Sequence, residues 1–167
     1  MGKVSRHIIS ENYDSVVAAQ EMKESLERQD SAALLALLGA REKALTQLRE
    51  HRARFDANFK KAANNITEIS EPEAIETIRH DRDIYYQRFD QFIVKATGNE
   101  TSGEEVTSDS LRNEYFTQLE PQFNKLRADC EHLLQLNQRA MLAKAEPAAG
   151  VALADPALSA AAMETVR

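Results

Sequence analysis

Residues 10–48 read SENYDSVVAAQEMKESLERQDSAALLALLGAREKALTQL, with no proline and a single glycine, Gly39. Ala19, Met22, Leu26, Ala33, Leu37, Ala40, Ala44 and Leu48 recur every three or four residues, the spacing that lines one face of an α-helix. The stripe continues through Phe55, Phe59 and Ala62. A helix of that length far exceeds the ~10–14 residues of an average globular helix. Either the segment is a rod, or it is two helices folded back on each other at Gly39.

Composition narrows the class. The chain has 167 residues, enough for one domain with a buried core. Tryptophan is absent, glycine and proline are scarce, and no β-branched residues alternate in strand fashion, so the expected fold is all-α. A net charge of −6 opposes general nucleic-acid binding, which needs a basic surface to displace counterions. No run approaches the ~18 consecutive apolar residues of a membrane span. Met1-Gly2-Lys3 lacks the apolar core of a signal peptide, which leaves a cytosolic protein or an excised soluble domain. The lone Cys130 excludes an internal disulfide.

Beyond Ala63, Asn64-Asn65-Ile66-Thr67 reads as a turn, because asparagine tolerates left-handed backbone angles at a helix end. Ser70-Glu71-Pro72-Glu73 has the pattern of a capping box. The helix it opens carries Ile75, Ile78, Tyr85, Phe89, Phe92 and Ala96 on one face, interrupted by Arg82, and Gly98 closes it. Residues 99–108 are polar and read as a loop. Asp109 or Ser110 caps the next helix, whose stripe is Leu111, Tyr115, Leu119, Phe123, Leu126, Cys130, Leu133, Asn137 and Ala140. Pro121 lies inside that helix and should bend it. After Glu146 the pattern stops, although Asp155-Pro156 has the form of a cap for a short last helix through Val166.

A turn at Gly39 yields helices over about 6–38, 40–63, 72–97 and 110–145, which is an antiparallel up-down four-helix bundle with long first and last helices. The domain is then 1–146, and 147–167 is an Ala/Pro-rich tail or linker. The alternative is a straight helix through Gly39 whose second half packs on a neighbouring molecule, because one glycine costs only ~1 kcal/mol inside a helix. Gly39 is therefore the expected hinge between a closed protomer and a helix-swapped dimer.

A bundle invites a search for catalytic and metal chemistry. Di-iron bundles need a Glu and a Glu-x-x-His motif in duplicate, whereas Asp129-Cys130-Glu131-His132 occurs once and has Asp in place of Glu. No haem-attachment motif, phosphate-binding loop or nucleophile elbow occurs, so the segment reads as non-catalytic, with no cofactor and no metal. The basic run Arg49 to Arg54 reads as a salt-paired face. Arg82 lies between Ile78 and Tyr85, and a turn at 64–70 brings it level with Arg54. Arg82, Arg54 and Tyr86 are the candidate ligand-binding residues, for a small anion. Against that, Arg82 has Asp81 and Asp83 beside it as partners. The first helix also carries a second stripe, Ile9, Tyr13, Val16, Gln20, Lys23, Glu27 and Asp30. Ile9, Tyr13, Val16 and Gln20 form a candidate two-fold dimer seam, with the charges beyond Gln20 splayed apart. The alternative is packing of that strip against Leu133, Leu136 and Ala140 within one protomer.

Three stretches in this order resemble a known family: NYDSVVAAQEMKESLERQDSAALLALLG at 12–39, NNIT followed by SEPEAI at 64–75, and YFTQLEPQFNKLRADCEHLLQLNQRAM at 115–141. Together they look like the extracytoplasmic helical sensor domain of KinB-type bacterial sensor histidine kinases, over about residues 8–145. The resemblance implies a periplasmic ligand-sensing domain of a membrane-bound homodimer. Two membrane helices would flank it, and a HAMP relay and kinase modules would follow. It implies no ligand and no binding residue, and nothing in this chain resembles a kinase's phosphoacceptor or ATP site. The Pro- and Gly-broken tail departs from a direct run into a second membrane helix. A chemoreceptor-type helical sensor and a soluble structural bundle are the competing readings.

Overall fold

The computed structural model describes residues 3–98 and 105–152, and all regular structure among the described residues is helical. Three long helices, α1 (Lys3–Leu37), α2 (Arg41–Ala63) and α3 (Glu71–Ala96), precede a continuous helical path. That path comprises α4 (Ser108–Glu114), one π-helical turn (Tyr115–Leu119) and α5 (Glu120–Ala152). The short helix suggested at Asp155-Pro156 lies outside the described residues, as does most of the 99–108 loop.

The long apolar stripe does break at Gly39. The Gly39 N–H donates to the Ala36 carbonyl at 3.0 Å and the Ala40 N–H to the Leu35 carbonyl at 3.0 Å, which closes the end of α1. This pattern requires a left-handed residue, and Gly39 supplies it with φ +83°. A Cβ built on Gly39 would meet no atom within 4 Å, so alanine there is opposed by backbone strain alone.

Side-chain pairs fix which helices meet. Along α1 and α2, Gln47 donates to the Arg28 carbonyl at 2.7 Å, Arg54 pairs with Glu21 at 2.8 Å, and Asn65 donates to Ser15 at 2.9 Å. Between α1 and the last helical path, Tyr115 donates to Asp30 at 2.8 Å, Arg127 pairs with Glu27 at 3.0 Å, and Asn12 donates to Asn137 at 3.0 Å. Between α3 and that path, Lys95 pairs with Glu114 at 3.2 Å and Gln122 donates to the Asp81 carbonyl at 2.9 Å. Inside these pairs lie Met22, Leu26, Phe55, Ile78, Tyr85, Phe89, Phe92, Leu126 and Leu133, all fully buried. Their aromatic rings meet edge-on, as Tyr85–Phe89 and Phe89–Phe92 do, at centroid distances of 5.6 and 6.2 Å.

Four local expectations are corrected. Asn64 caps α2 with right-handed angles (φ −88°), and no described non-glycine residue has positive φ. The asparagine that matters is Asn65, whose amide donates to the Glu11 carbonyl at 2.6 Å. Ser70 makes no capping bond, because its own backbone is already helical (φ −86°, ψ −6°) and its hydroxyl is not placed to cap. Glu71 instead braces the corner before α3: its Oε1 accepts from the N–H groups of Thr67 and Glu68 at 3.0 and 2.8 Å. The start of α4 is a reciprocal cap between Thr107 and Ser110, not a cap by Asp109. Finally, α5 runs on through Pro147 to Ala152, in a stretch rich in alanine, the best helix former.

Pro121 exerts its effect one turn upstream. Its ring has no N–H to give and crowds the carbonyl four residues earlier. The chain widens there into the π-helical turn, with the Glu120 N–H donating to the Tyr115 carbonyl. The wider turn keeps both Tyr115 and Leu119 buried.

Candidate functional site

Of Arg82, Arg54 and Tyr86, the structure brings only Arg82 and Tyr86 together, on the face shared by α2 and α3. Tyr86 donates its hydroxyl to Asp56 at 3.0 Å, and an Arg82 Nη lies 3.6 Å from the same carboxylate oxygen. Arg82 also pairs with Asp83 at 3.0 Å and lies over the Phe59 ring at 4.8 Å. Arg54 points the other way, to Glu21 on α1. Between them Arg52 bridges to Asp90 at 2.7 Å and stacks over Tyr86 at 4.5 Å. The carboxylate in this clamp is thus the chain's own Asp56, and an external anion would have to displace it. Burial, reinforced by Asp56, pushes the Tyr86 phenol well up and keeps it a donor.

Arg82 was expected to interrupt the seam between Ile78 and Tyr85. The residue that occupies the seam is Asp81, which is 1% exposed, while Arg82 lies on its flank. A heptad step from 78 to 85 passes through 81 or 82, and only packing selects between the two. The Asp81 carboxylate meets His80 at 3.1 Å and Lys125, one turn before Asp129 on α5, at 3.3 Å. Asp129 and His132, with Glu73, Ser70, Ala74 and Thr77, line a cleft of about 180 Å³. Among the described residues no three His, Cys, Asp or Glu side chains are placed to hold a metal ion. Cys130 is buried, and that burial, with Asp129 nearby, pushes its thiol up to about 12.

A second polar cluster joins α1 to α5 at the 64–70 corner. Asn12 on α1 donates to Thr67 at 2.8 Å, to Glu68 at 3.0 Å and to Asn137 at 3.0 Å. From α5, Lys144 donates to Asn12 at 2.6 Å and also contacts Glu68. Burial acts to raise the Glu68 carboxyl, but the bonds from Lys144 and Asn12 outweigh it and hold the group low. Asn12 and Asn137 are completely buried. Asn137 was legible as a polar residue on an apolar stripe; Asn12 and Lys144 carried no such signal.

The second stripe on α1 does not stay on one surface. Tyr13 is 56% exposed and Gln20 is exposed, whereas Ile9 and Val16 are half-buried and Val16 packs on the core. Lys23, Glu27 and Asp30 do not splay apart: they engage Glu131, Arg127 and Tyr115 of the same chain. A seven-residue repeat drifts around a straight helix by about 20° per heptad, so one stripe faces two environments. No protein-family model matches the chain, nor does any curated protein or solved structure.

Proposed function

We propose that this chain is an antiparallel up-down four-helix sensor domain, itself non-catalytic, on the periplasmic side of a KinB-type membrane-bound sensor histidine kinase. The observation that carries the reading is the tie between the terminal helices. Asn12 near the start of α1 is bonded to Lys144 and Asn137 near the end of α5, and Asn12 and Lys144 both meet the 64–70 corner at Glu68. A domain that signals through its two terminal helices needs them side by side where they leave the bundle. Shifts of an ångström or two between them then suffice to bias a bistable relay. The resemblance over about residues 8–145 supplies the family. No described helix is long and apolar enough to cross a membrane, so the spans belong to flanking segments in this reading.

In the intact protein in membrane vesicles, ATP is expected to label a histidine downstream of this segment. Protease added from the periplasmic face is expected to remove the segment. Absence of histidine phosphate, or protection of the segment from that face, overturns the reading.

The partner in this reading is a second copy of the chain. Exposed Tyr13 and Val17, at 56% and 42%, favour a two-fold contact through that part of α1. Gly39 offers a second route, by exchange of half the bundle. Gly39→Ala is expected to destabilise the closed corner by about 1 kcal/mol, because alanine resists positive φ. The released strain drives α1 into α2 as one straight helix and raises the fraction of slowly dissociating dimer. Light scattering after chromatography reads that fraction, and an unchanged monomer–dimer balance rejects the hinge.

A further inference from the structure

Two carboxyl groups face each other between α3 and α5. Asp81 is 1% exposed and pairs with Lys125, which lies one turn before Asp129 on α5, so Asp129 stands on the α5 face turned toward Asp81. The Oδ1 atom of Asp81 accepts Lys125 at 3.3 Å and meets His80 at 3.1 Å, while its Oδ2 atom is buried with no donor. Asp129 Oδ2 is likewise buried without a donor. With the Oδ2 atoms of both buried and without a donor, two charged carboxylates side by side repel each other, and one proton held between them removes both the repulsion and the missing donor.

The surroundings do not neutralise a second charge. From α3 the facing groups are His80, charged only when protonated, and Glu73, which lines the adjoining cleft. From α5 they are Lys125, whose side chain is 58% exposed, His132 in the same cleft, and the buried Cys130. From α1, the Lys23 ammonium is engaged by Glu131. One lysine can balance one carboxylate; the second needs a proton. The cleft beside Asp129 gives that proton a path from solvent.

We propose that Asp81 and Asp129 form a proton-binding site in which one shared proton clamps α3 to α5 and whose loss loosens that seam. The site stands on the geometry of this chain and not on the sensor reading. Burial first, then the Asp81 bond and charge, raises Asp129 to about 7. At Asp81 burial acts upward too, but hydrogen bonds with Asp129, His80 and Lys125 prevail and lower it. The sign follows: Asp129 is raised by folding, so its contribution to stability is complete below the ordinary carboxylate range and is lost as pH rises through about 7. Asp81 is lowered, so its contribution is lost as pH falls below that range. The singly protonated pair is the stable one between them.

The test is carbon-13 NMR of the aspartate carboxyls in the full chain, with thermal unfolding of wild type and Asp129→Asn from about pH 5.5 to 8.5. One carboxyl is expected to titrate near 7, and the wild-type melting temperature to fall across that range. Asp129→Asn, whose amide donates to Asp81 at every pH, is expected to lose at least half of that fall. If Asp129→Asn does not fold, the wild-type NMR decides alone. No aspartate midpoint above about 5.5, or a melting-temperature slope unchanged in Asp129→Asn, overturns the proposal.

Discussion

Phe89→Ala is expected to cost about 3–5 kcal/mol of unfolding free energy, read by urea denaturation. Phe89 is completely buried at the centre of the aromatic row, edge-on to Tyr85 and Phe92, with the Arg52 guanidinium 5.4 Å from its ring. Truncation removes the transfer free energy of the ring and leaves a cavity walled by rigid aromatics and Tyr115-packed Phe92, which cannot collapse to fill it. A domain of this size is stable by only about 5–15 kcal/mol, so this one change uses a large part of the margin. Phe116 is the internal control. It is 59% exposed and meets the Tyr115 ring edge-on at 5.0 Å, and its alanine variant should stay within about 0.5 kcal/mol. Equal losses at 89 and 116 would mean that the aromatic row is not the core.

Glu71→Ala should destabilise by about 3 kcal/mol and selectively open the corner between α2 and α3. Glu71 is completely buried, and its Oε1 accepts three bonds, from the Thr67 N–H, the Thr67 hydroxyl and the Glu68 N–H. Alanine leaves those donors unfilled, and each unfilled buried donor costs about 1–3 kcal/mol. The cost is moderated because alanine also removes a carboxylate that was expensive to bury. Glu71→Gln, which retains an acceptor oxygen, should lose less than half as much. Glu73→Ala should be nearly silent, since Glu73 is exposed. Hydrogen exchange is expected to rise first at 65–71 and then at Asn12, which is bonded to Thr67 and Glu68. A larger loss at Glu73 than at Glu71 would restore the capping-box reading and reject this one.

The two variants probe different layers of the same argument. Phe89 was visible as a core residue from spacing alone, whereas Glu71 was visible only as part of a start signal assigned to its neighbours. The corner it supports also sets how α1 and α5 meet, because Glu68 accepts from both Asn12 and Lys144, and Thr67 accepts from Asn12.

Periodicity, glycine placement and proline were local properties, and they determined the helical class, the end at Gly98 and the disturbance around Pro121, and marked Gly39 as the place where the long stripe could break. Each depends on a backbone preference or a 3.6-residue repeat that no distant contact had to supply. Tertiary structure decided what period could not. It chose Asp81 over Arg82 for the seam, turned Arg54 toward Glu21, and gave Tyr86 and Arg82 an internal carboxylate in Asp56. It also set Asp129 against Asp81 and Lys144 against Asn12, residues 48 and 132 positions apart. Polar residues buried across helices leave no local trace, because their spacing is that of any solvated face until a partner arrives from another helix. Only the packed bundle shows which charges left water, and burial is what gives those charges their chemistry.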